Sequence, residues 1–269
     1  MVAVVAVFGS LIGSFLNVVV YRVPAGMSLL RPASACPSCG SRIRPYDNVP
    51  VLSWMLLGGR CRDCRVRIPV RYPLVELGTA VLFAIVAFAF LGPLRVPGRP
   101  IVATVLELLA WLWLAAVTIA LAIIDVETHR LPDRIVLPTA IAIASLLAAT
   151  AAVEGDWWRI GQAAIGAAAL GGFYLALAVI RPGAMGLGDV KLAGVLGLAL
   201  GWAGWSQLVV GAFAAFVLGG LFSLILLLAK RVRRAGGIPF GPWMLAGAWV
   251  GIFFGAQLVA SYFAVIGLQ

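Results

Sequence analysis

The stretch Gly186-Leu187-Gly188-Asp189-Val190-Lys191 decides how this chain is read. It sets one acid between a pair of glycines and a long apolar run. An ionisable group at that depth is costly unless it is paired or put to use. Working outward, a second acid, Asp125, closes another apolar run at Ala122-Ile123-Ile124-Asp125. The rest of the chain is read around these two carboxyls.

The composition bounds the class. The 269 residues are 63% hydrophobic and 11% charged, which no ordinary soluble domain is. Several apolar runs reach or approach the ~20 residues that cross a bilayer as a helix. The sequence therefore predicts an all-α polytopic membrane protein. Residues 2–7 carry no basic residue, so no cleaved signal peptide is expected there. A net charge of +10 would suggest nucleic-acid binding in a soluble protein. Here the basic residues fall between apolar segments, where they set orientation, and no nucleic-acid partner is expected.

About eight spans are predicted, at 2–21, 74–91, 101–124, 135–153, 160–180, 190–203, 206–229 and 239–266. This divides the chain into a first transmembrane helix over 1–21, a polar insert over 22–73 and a membrane domain over 74–269. Cations alternate across the spans. One side holds the insert's nine arginines, Arg130, Arg134, Arg181, Lys191, Lys230, Arg231, Arg233 and Arg234, against Arg95, Arg99 and Arg159 on the other. Seventeen against three places the insert and both acids in the cytoplasm and both termini outside. The sixth span has only 14 residues, a rise of about 21 Å against a hydrocarbon core of ~30 Å. It needs a thinned bilayer, shielding by neighbours, or residues borrowed from the loop before it. Gly166, Gly171, Gly172, Gly194, Gly197, Gly201, Gly211, Gly219 and Gly220 predict close helix packing.

The insert contains Cys36-Pro-Ser-Cys39 and Cys61-Arg-Asp-Cys64. Two tight knuckles with two thiolates each complete a tetrahedral zinc site with no open position, so the metal is structural. Two disulfides or free thiols are the alternatives, and a reducing cytoplasm argues against the disulfides. A segment this small gains from a metal what it lacks in core. Its arginines face solvent or anionic lipid heads.

The acids divide by setting. Asp189 is either an N-cap of the sixth span or a functional group, and the two roles are compatible. Asp125 at a helix C-terminus opposes the macrodipole, so it does not serve helix stability. Its plain role would be a partner for Arg130 or Arg134. Asp133 in Leu131-Pro132-Asp133 reads as a cap for the fourth span. Glu127 and His129 read as residues at headgroup level. Glu76 is expected to pair with Arg71 or Arg67, and Glu107 to reach water at the external end. Two carboxyls in contact cannot both ionise easily, so one serves as base and the other as acid. With a single histidine and no H-E-x-x-H pattern, carboxylates are the hydrolytic machinery this chain offers. An ion-coupled transporter would also use intramembrane acids and a broken helix, but it leaves the tetracysteine insert unexplained.

Several motifs together resemble the bacterial prepilin peptidases, also called type IV leader peptidases, over nearly the whole chain. They are Gly13-Ser14-Phe15-Leu16-Asn17, Arg22-Val23-Pro24, the paired cysteines with Asp47-Asn48-Val49-Pro50 between them, Arg71-Tyr72-Pro73, Glu76, Asp125, Leu131-Pro132-Asp133, the GxGD acid Asp189 with Lys191, and Pro239-Phe240-Gly241-Pro242. The resemblance implies an aspartic intramembrane protease with Asp125 and Asp189 catalytic, in the bacterial inner membrane. It implies prepilin or pseudopilin substrates, cut on the cytoplasmic side, and membrane lipids as neighbours. It also implies N-methylation of the new terminus with S-adenosylmethionine, linked to the insert. Asn17, Arg22, Asp47, Asn48, Arg71 and Glu76 are the candidates for holding that methyl donor. Lys191, two residues from Asp189, either snorkels to the interface or pairs with an acid near the start of the mature substrate.

Overall fold

The computed structural model describes residues 1–92, 98–183, 185–229 and 239–267. Arg95, Lys230, Arg231, Arg233 and Arg234, which enter the charge count, lie outside the described residues. Among the described residues the chain is helical, with two isolated β-bridges in place of any strand. The helices are α1 (Val2–Arg22), α2 (Leu52–Leu56), α3 (Arg71–Phe90), α4 (Ile101–Thr128), α5 (Asp133–Glu154), α6 (Trp157–Ile180), α7 (Leu187–Ala203), α8 (Trp205–Leu228) and α9 (Gly241–Val265). Seven of them are long and apolar enough to cross a membrane. The eighth expected span is α7, with 17 residues.

The chain divides into two compact units, Met1–Pro97 with Trp111–Ala120, and Gly98–Ala110 with Leu121–Gln269. In the first unit, α1 lies against α3 along a seam of small residues. A Cβ on Gly13 would stand 2.7 Å from Glu76 Cα, and one on Gly9 would stand 2.8 Å from Phe83. The insert packs little apolar surface of its own. Cys36 and Ser53 are buried there, but Leu52, Met55 and Leu56 are exposed.

In the second unit α7 is the centre. It touches α5, α6, α8 and α9, and Leu192, Ala193, Leu196, Ala199, Leu200 and Trp202 are buried on it. The short helix is thus accommodated in two ways. It starts three residues earlier than the apolar run, which gives about 26 Å of rise. Its neighbours also shield it from lipid. Close approach to α6 depends on three glycines: a Cβ on Gly166 would come within 2.4 Å of the Gly197 carbonyl oxygen, and one on Gly201 within 2.6 Å of the Gln162 carbonyl oxygen. In lipid, with little hydrophobic force between helices, such backbone contact supplies much of the packing energy.

Glu107 corrects an expectation. It does not reach water: it is 6% exposed, and it anchors a cluster near the start of α4. It accepts hydrogen bonds from Arg99, from Arg159 at 3.2 Å and from Trp202 Nε1 at 2.7 Å. Arg159 lies over the Trp202 ring at 4.0 Å, and Glu154 receives both arginines. Two acids against two guanidiniums make the cluster neutral, which is what burial demands. It joins the beginning of α4, the end of α5, the beginning of α6 and the end of α7.

The seam makes a paired prediction. Gly197→Ala forces α6 and α7 apart and lowers stability by about 1–3 kcal/mol. Gly194→Ala, where a Cβ meets nothing within 4 Å, leaves stability unchanged or raises it. Thermal unfolding of the two variants in detergent separates them.

Candidate active site

Asp125 lies in the last turn of α4, one turn before the left-handed cap residue His129. Its carboxyl, 5% exposed, accepts the Gly241 N–H at 2.9 Å. Gly241 is the first residue of α9, and Pro242 follows as a helix-starting residue. The acid that opposes the dipole of its own helix therefore sits on the positive end of another. Asp189 is the third residue of α7, so it is not the N-cap; Gly186 is. Its Oδ2 reaches back to the Gly186 N–H at 3.0 Å. Each acid thus holds one free amide at a helix N-terminus.

Leu131 stands between the two helix starts. Cβ atoms placed on Gly188 and Gly241 would come within 3.0 Å and 3.3 Å of its side chain. The two carboxyls are near enough to interact electrostatically, and Asp189 also interacts with buried Tyr174. Tyr174, Phe216 and Phe240 form a ring cluster with centroids 5.4–6.2 Å apart. Phe240 is the N-cap residue of α9, so this cluster braces the turn that presents Gly241.

Asp133 caps nothing. It is the first residue of α5, and its carboxylate binds Lys191 Nζ at 2.7 and 2.8 Å. Lys191 therefore already holds an anion, two residues on from Asp189.

In the insert the four Sγ atoms all lie within 4.8 Å of one another, with Cys36 and Cys64 3.7 Å apart. A tetrahedral zinc with bonds of about 2.3 Å requires sulfurs about 3.8 Å apart. Each knuckle is closed by a β-bridge, Ala35 with Arg42 and Arg60 with Arg67. The residue after each second cysteine, Gly40 and Arg65, adopts positive φ. All four cysteines are free thiols, not disulfides. Hydrogen bonds from Ser41 lower the Cys39 pKa to about 7. The Val66 backbone pulls Cys64 down, but desolvation and its sister sulfurs outweigh that and push it up to about 12. Four crowded sulfurs cannot all ionise without a cation among them.

Two family descriptions match the chain: "Bacterial Peptidase A24 N-terminal domain" over residues 7–90 and "Type IV leader peptidase family" over residues 112–225. A protein of Pseudomonas putida named "Prepilin leader peptidase/N-methyltransferase" is 35% identical over 296 residues, covering 99% of this chain and 95% of its own length. The chain belongs to the type IV leader peptidase family. Proteins of the same printed name from Dichelobacter nodosus and Neisseria gonorrhoeae are 36% and 32% identical, covering 94% and 93% of this chain and 92% and 89% of their own. No solved structure matches.

In this type IV leader peptidase the six candidates for the methyl donor lie in the first unit but in different settings. Asp47 accepts Arg62 at 2.6–3.0 Å, which holds its carboxyl below the usual carboxylate range. The Arg71 guanidinium lies 5.9 Å from the Tyr72 ring centroid. Asn17 donates to the Tyr72 carbonyl at 3.2 Å, while its own buried Oδ1 has no donor. Glu76, 8% exposed, accepts the Val51 N–H at 2.7 Å. Arg22, also 8% exposed, donates to the carbonyls of Ser28, Leu29 and Pro32 at 2.9, 3.4 and 2.7 Å. Of the six, Arg22 and Asn48 line a cavity of ≈ 300 Å³.

Sequence reasoning missed Tyr174, and it named Gly241 and Leu131 only within motifs of the resemblance, with no role beside the acids. Pro242 does signal the start of a helix at that point, but nothing local says where its first amide points. The Lys191–Asp133 pair is half-exposed on both sides. A double-mutant cycle with Lys191→Met and Asp133→Asn should return a coupling of no more than about 1 kcal/mol in unfolding measurements.

Proposed function

We propose that this chain is a prepilin leader peptidase and N-methyltransferase of the bacterial inner membrane, with the insert and both acids on the cytoplasmic side. Asp125 and Asp189 form its catalytic dyad. The observation that carries this reading is the opposed placement of two helix N-termini, each giving one amide to one acid. The arrangement keeps each carboxyl fixed and leaves its remaining oxygen lone pairs for water and substrate.

The chemistry follows from two acids sharing one proton. One carboxylate takes a proton from water as the oxygen attacks the scissile carbonyl carbon. The other carboxyl gives its proton to the carbonyl oxygen. The tetrahedral species then collapses: the C–N bond breaks, nitrogen takes a proton, and a free amine and a carboxylic acid leave. Gly186 carries no side chain where an extended peptide must come close to Asp189, and Gly188 admits Leu131 beside it.

The four cysteines hold a structural zinc that gives the insert its shape. S-adenosylmethionine supplies, when bound, a methyl group on a positively charged sulfur. Glu76 fits a cationic donor, since it is a buried acid whose neighbouring donors, the Val51 N–H and the Ser14 side chain, are neutral. The new N-terminal amine must lose a proton before its lone pair can accept the methyl; the S–C bond would break, its electron pair returning to sulfur, and a neutral thioether would leave.

The dyad is tested by incubating purified protein with a prepilin and weighing the product N-terminus. Asp125→Asn and Asp189→Asn each abolish cleavage while melting temperature and zinc content stay at wild-type values. Persistent cleavage in either variant removes the dyad. Gly241→Ala puts a Cβ 2.7 Å from Asp125 Oδ2, and the displaced carboxyl costs roughly 10²-fold in rate. Cys36→Ser lowers the zinc bound per chain, read by metal analysis, and reduces methylation more than cleavage. Unchanged zinc in that variant rules out the four-thiolate site.

A further inference from the structure

The cavity beside α1 has a built wall. Arg22 draws the Ser28, Leu29 and Pro32 carbonyls onto its guanidinium and so folds the 28–34 segment back alongside the helix. Leu29, Leu30 and Ala33 of that segment line the cavity together with Leu11, Phe15 and Val18 of α1, and Asn48 is also on the lining. A volume of ≈ 300 Å³, lined about equally by polar and apolar surface, is the size of a small-molecule site.

Its polar groups are unequal. Arg22 brings a positive charge to one end of the α1 face. Ser14, two turns earlier, is also on the lining, and its side chain adjoins Glu76. Glu76 is buried where α1 and α3 touch, with Gly13 admitting the contact. A buried carboxylate held only by neutral donors is under-compensated.

The backbone beside it is strained. Val51, a β-branched residue, adopts φ 61 and ψ −51, and Leu52 N–H closes back on the Pro50 carbonyl at 2.6 Å. That is a γ-turn of the rarer hand, which costs free energy and persists only where the surroundings impose it. The turn sends the Val51 N–H to Glu76, and it lies three residues from Asn48 in the cavity wall. Strain spent on fixing one buried carboxylate points to that carboxylate's use.

We propose that this cavity binds S-adenosylmethionine, with Glu76, through the Ser14 side of the lining, compensating the sulfonium charge, and with Arg22 and Asn48 meeting the donor's polar groups. The assignment rests on the methyltransferase half of the proposed function. It selects Arg22, Asn48 and Glu76 from the six sequence candidates. Arg22 and Asn48 are on the lining, and Glu76, which is not, adjoins the lining residue Ser14; Asp47 is engaged by Arg62.

Equilibrium dialysis of the purified, zinc-loaded full chain with labelled S-adenosylmethionine tests this, with the neutral thioether S-adenosylhomocysteine as the second probe. Zinc content and melting temperature report folding. Val18→Trp fills the cavity and weakens both probes at least tenfold. Glu76→Gln keeps the shape but removes the charge, so it weakens the sulfonium at least tenfold and leaves the thioether unchanged. Wild-type affinity for both probes in folded Val18→Trp overturns the cavity while the methyltransferase reading stands. Equal loss of both probes in Glu76→Gln overturns the charge pairing. A wild-type chain that binds neither probe, with or without a prepilin present, ends both the site and the methyltransferase reading.

Discussion

A carboxyl group at the edge of hydrocarbon requires donors, and here each of the two central acids takes one from a helix N-terminus, Asp125 from that of α9 and Asp189 from that of its own α7. Gly241 serves Asp125 across 116 residues of chain, and Gly186 serves Asp189 across three. The side chains around them brace the turns that present those amides. The Tyr174–Phe216–Phe240 cluster braces the start of α9. Leu131, placed by the loop between α4 and α5, separates the start of α7 from the start of α9. Without the glycines at 188 and 241 neither approach is possible, because a Cβ would occupy the space that Leu131 or Asp125 fills.

Helix packing follows the same logic. Along α6 and α7, glycine carbonyls and α-carbons replace side-chain contact. The short α7 can afford its length because four neighbours surround it, and its charge-bearing start remains half-exposed. The insert has the opposite problem. It is not embedded in a helical core, and its cysteine cluster and paired knuckles do the organising that apolar burial does elsewhere.

Much of this was legible in the sequence because it is local. Apolar run lengths located the long helices to within four residues, and the two C-x2-C pairs announced their cluster by spacing alone. The missing part is the pairing of groups distant in sequence. Glu107 looked like an acid bound for water, yet its partners are 8, 47, 52 and 95 residues away or joined through one another. Asp133 looked like a cap because Pro precedes it, but its charge found Lys191, 58 residues on. Glu76 turned to a backbone amide in a strained turn, a conformation that no residue-type rule assigns to valine.

The neutral cluster around Glu107 has a mechanical consequence. It fastens α4, α5, α6 and α7 at their ends remote from Asp125 and Asp189, through four charges and a tryptophan. The opposite ends of those helices are held by lone amides, one leucine, a ring stack and the half-exposed Lys191–Asp133 pair. Within this unit the charge pairing is graded, like tongs riveted at one end: a network of four charges on one side, and the half-exposed pair on the side that carries Asp125 and Asp189.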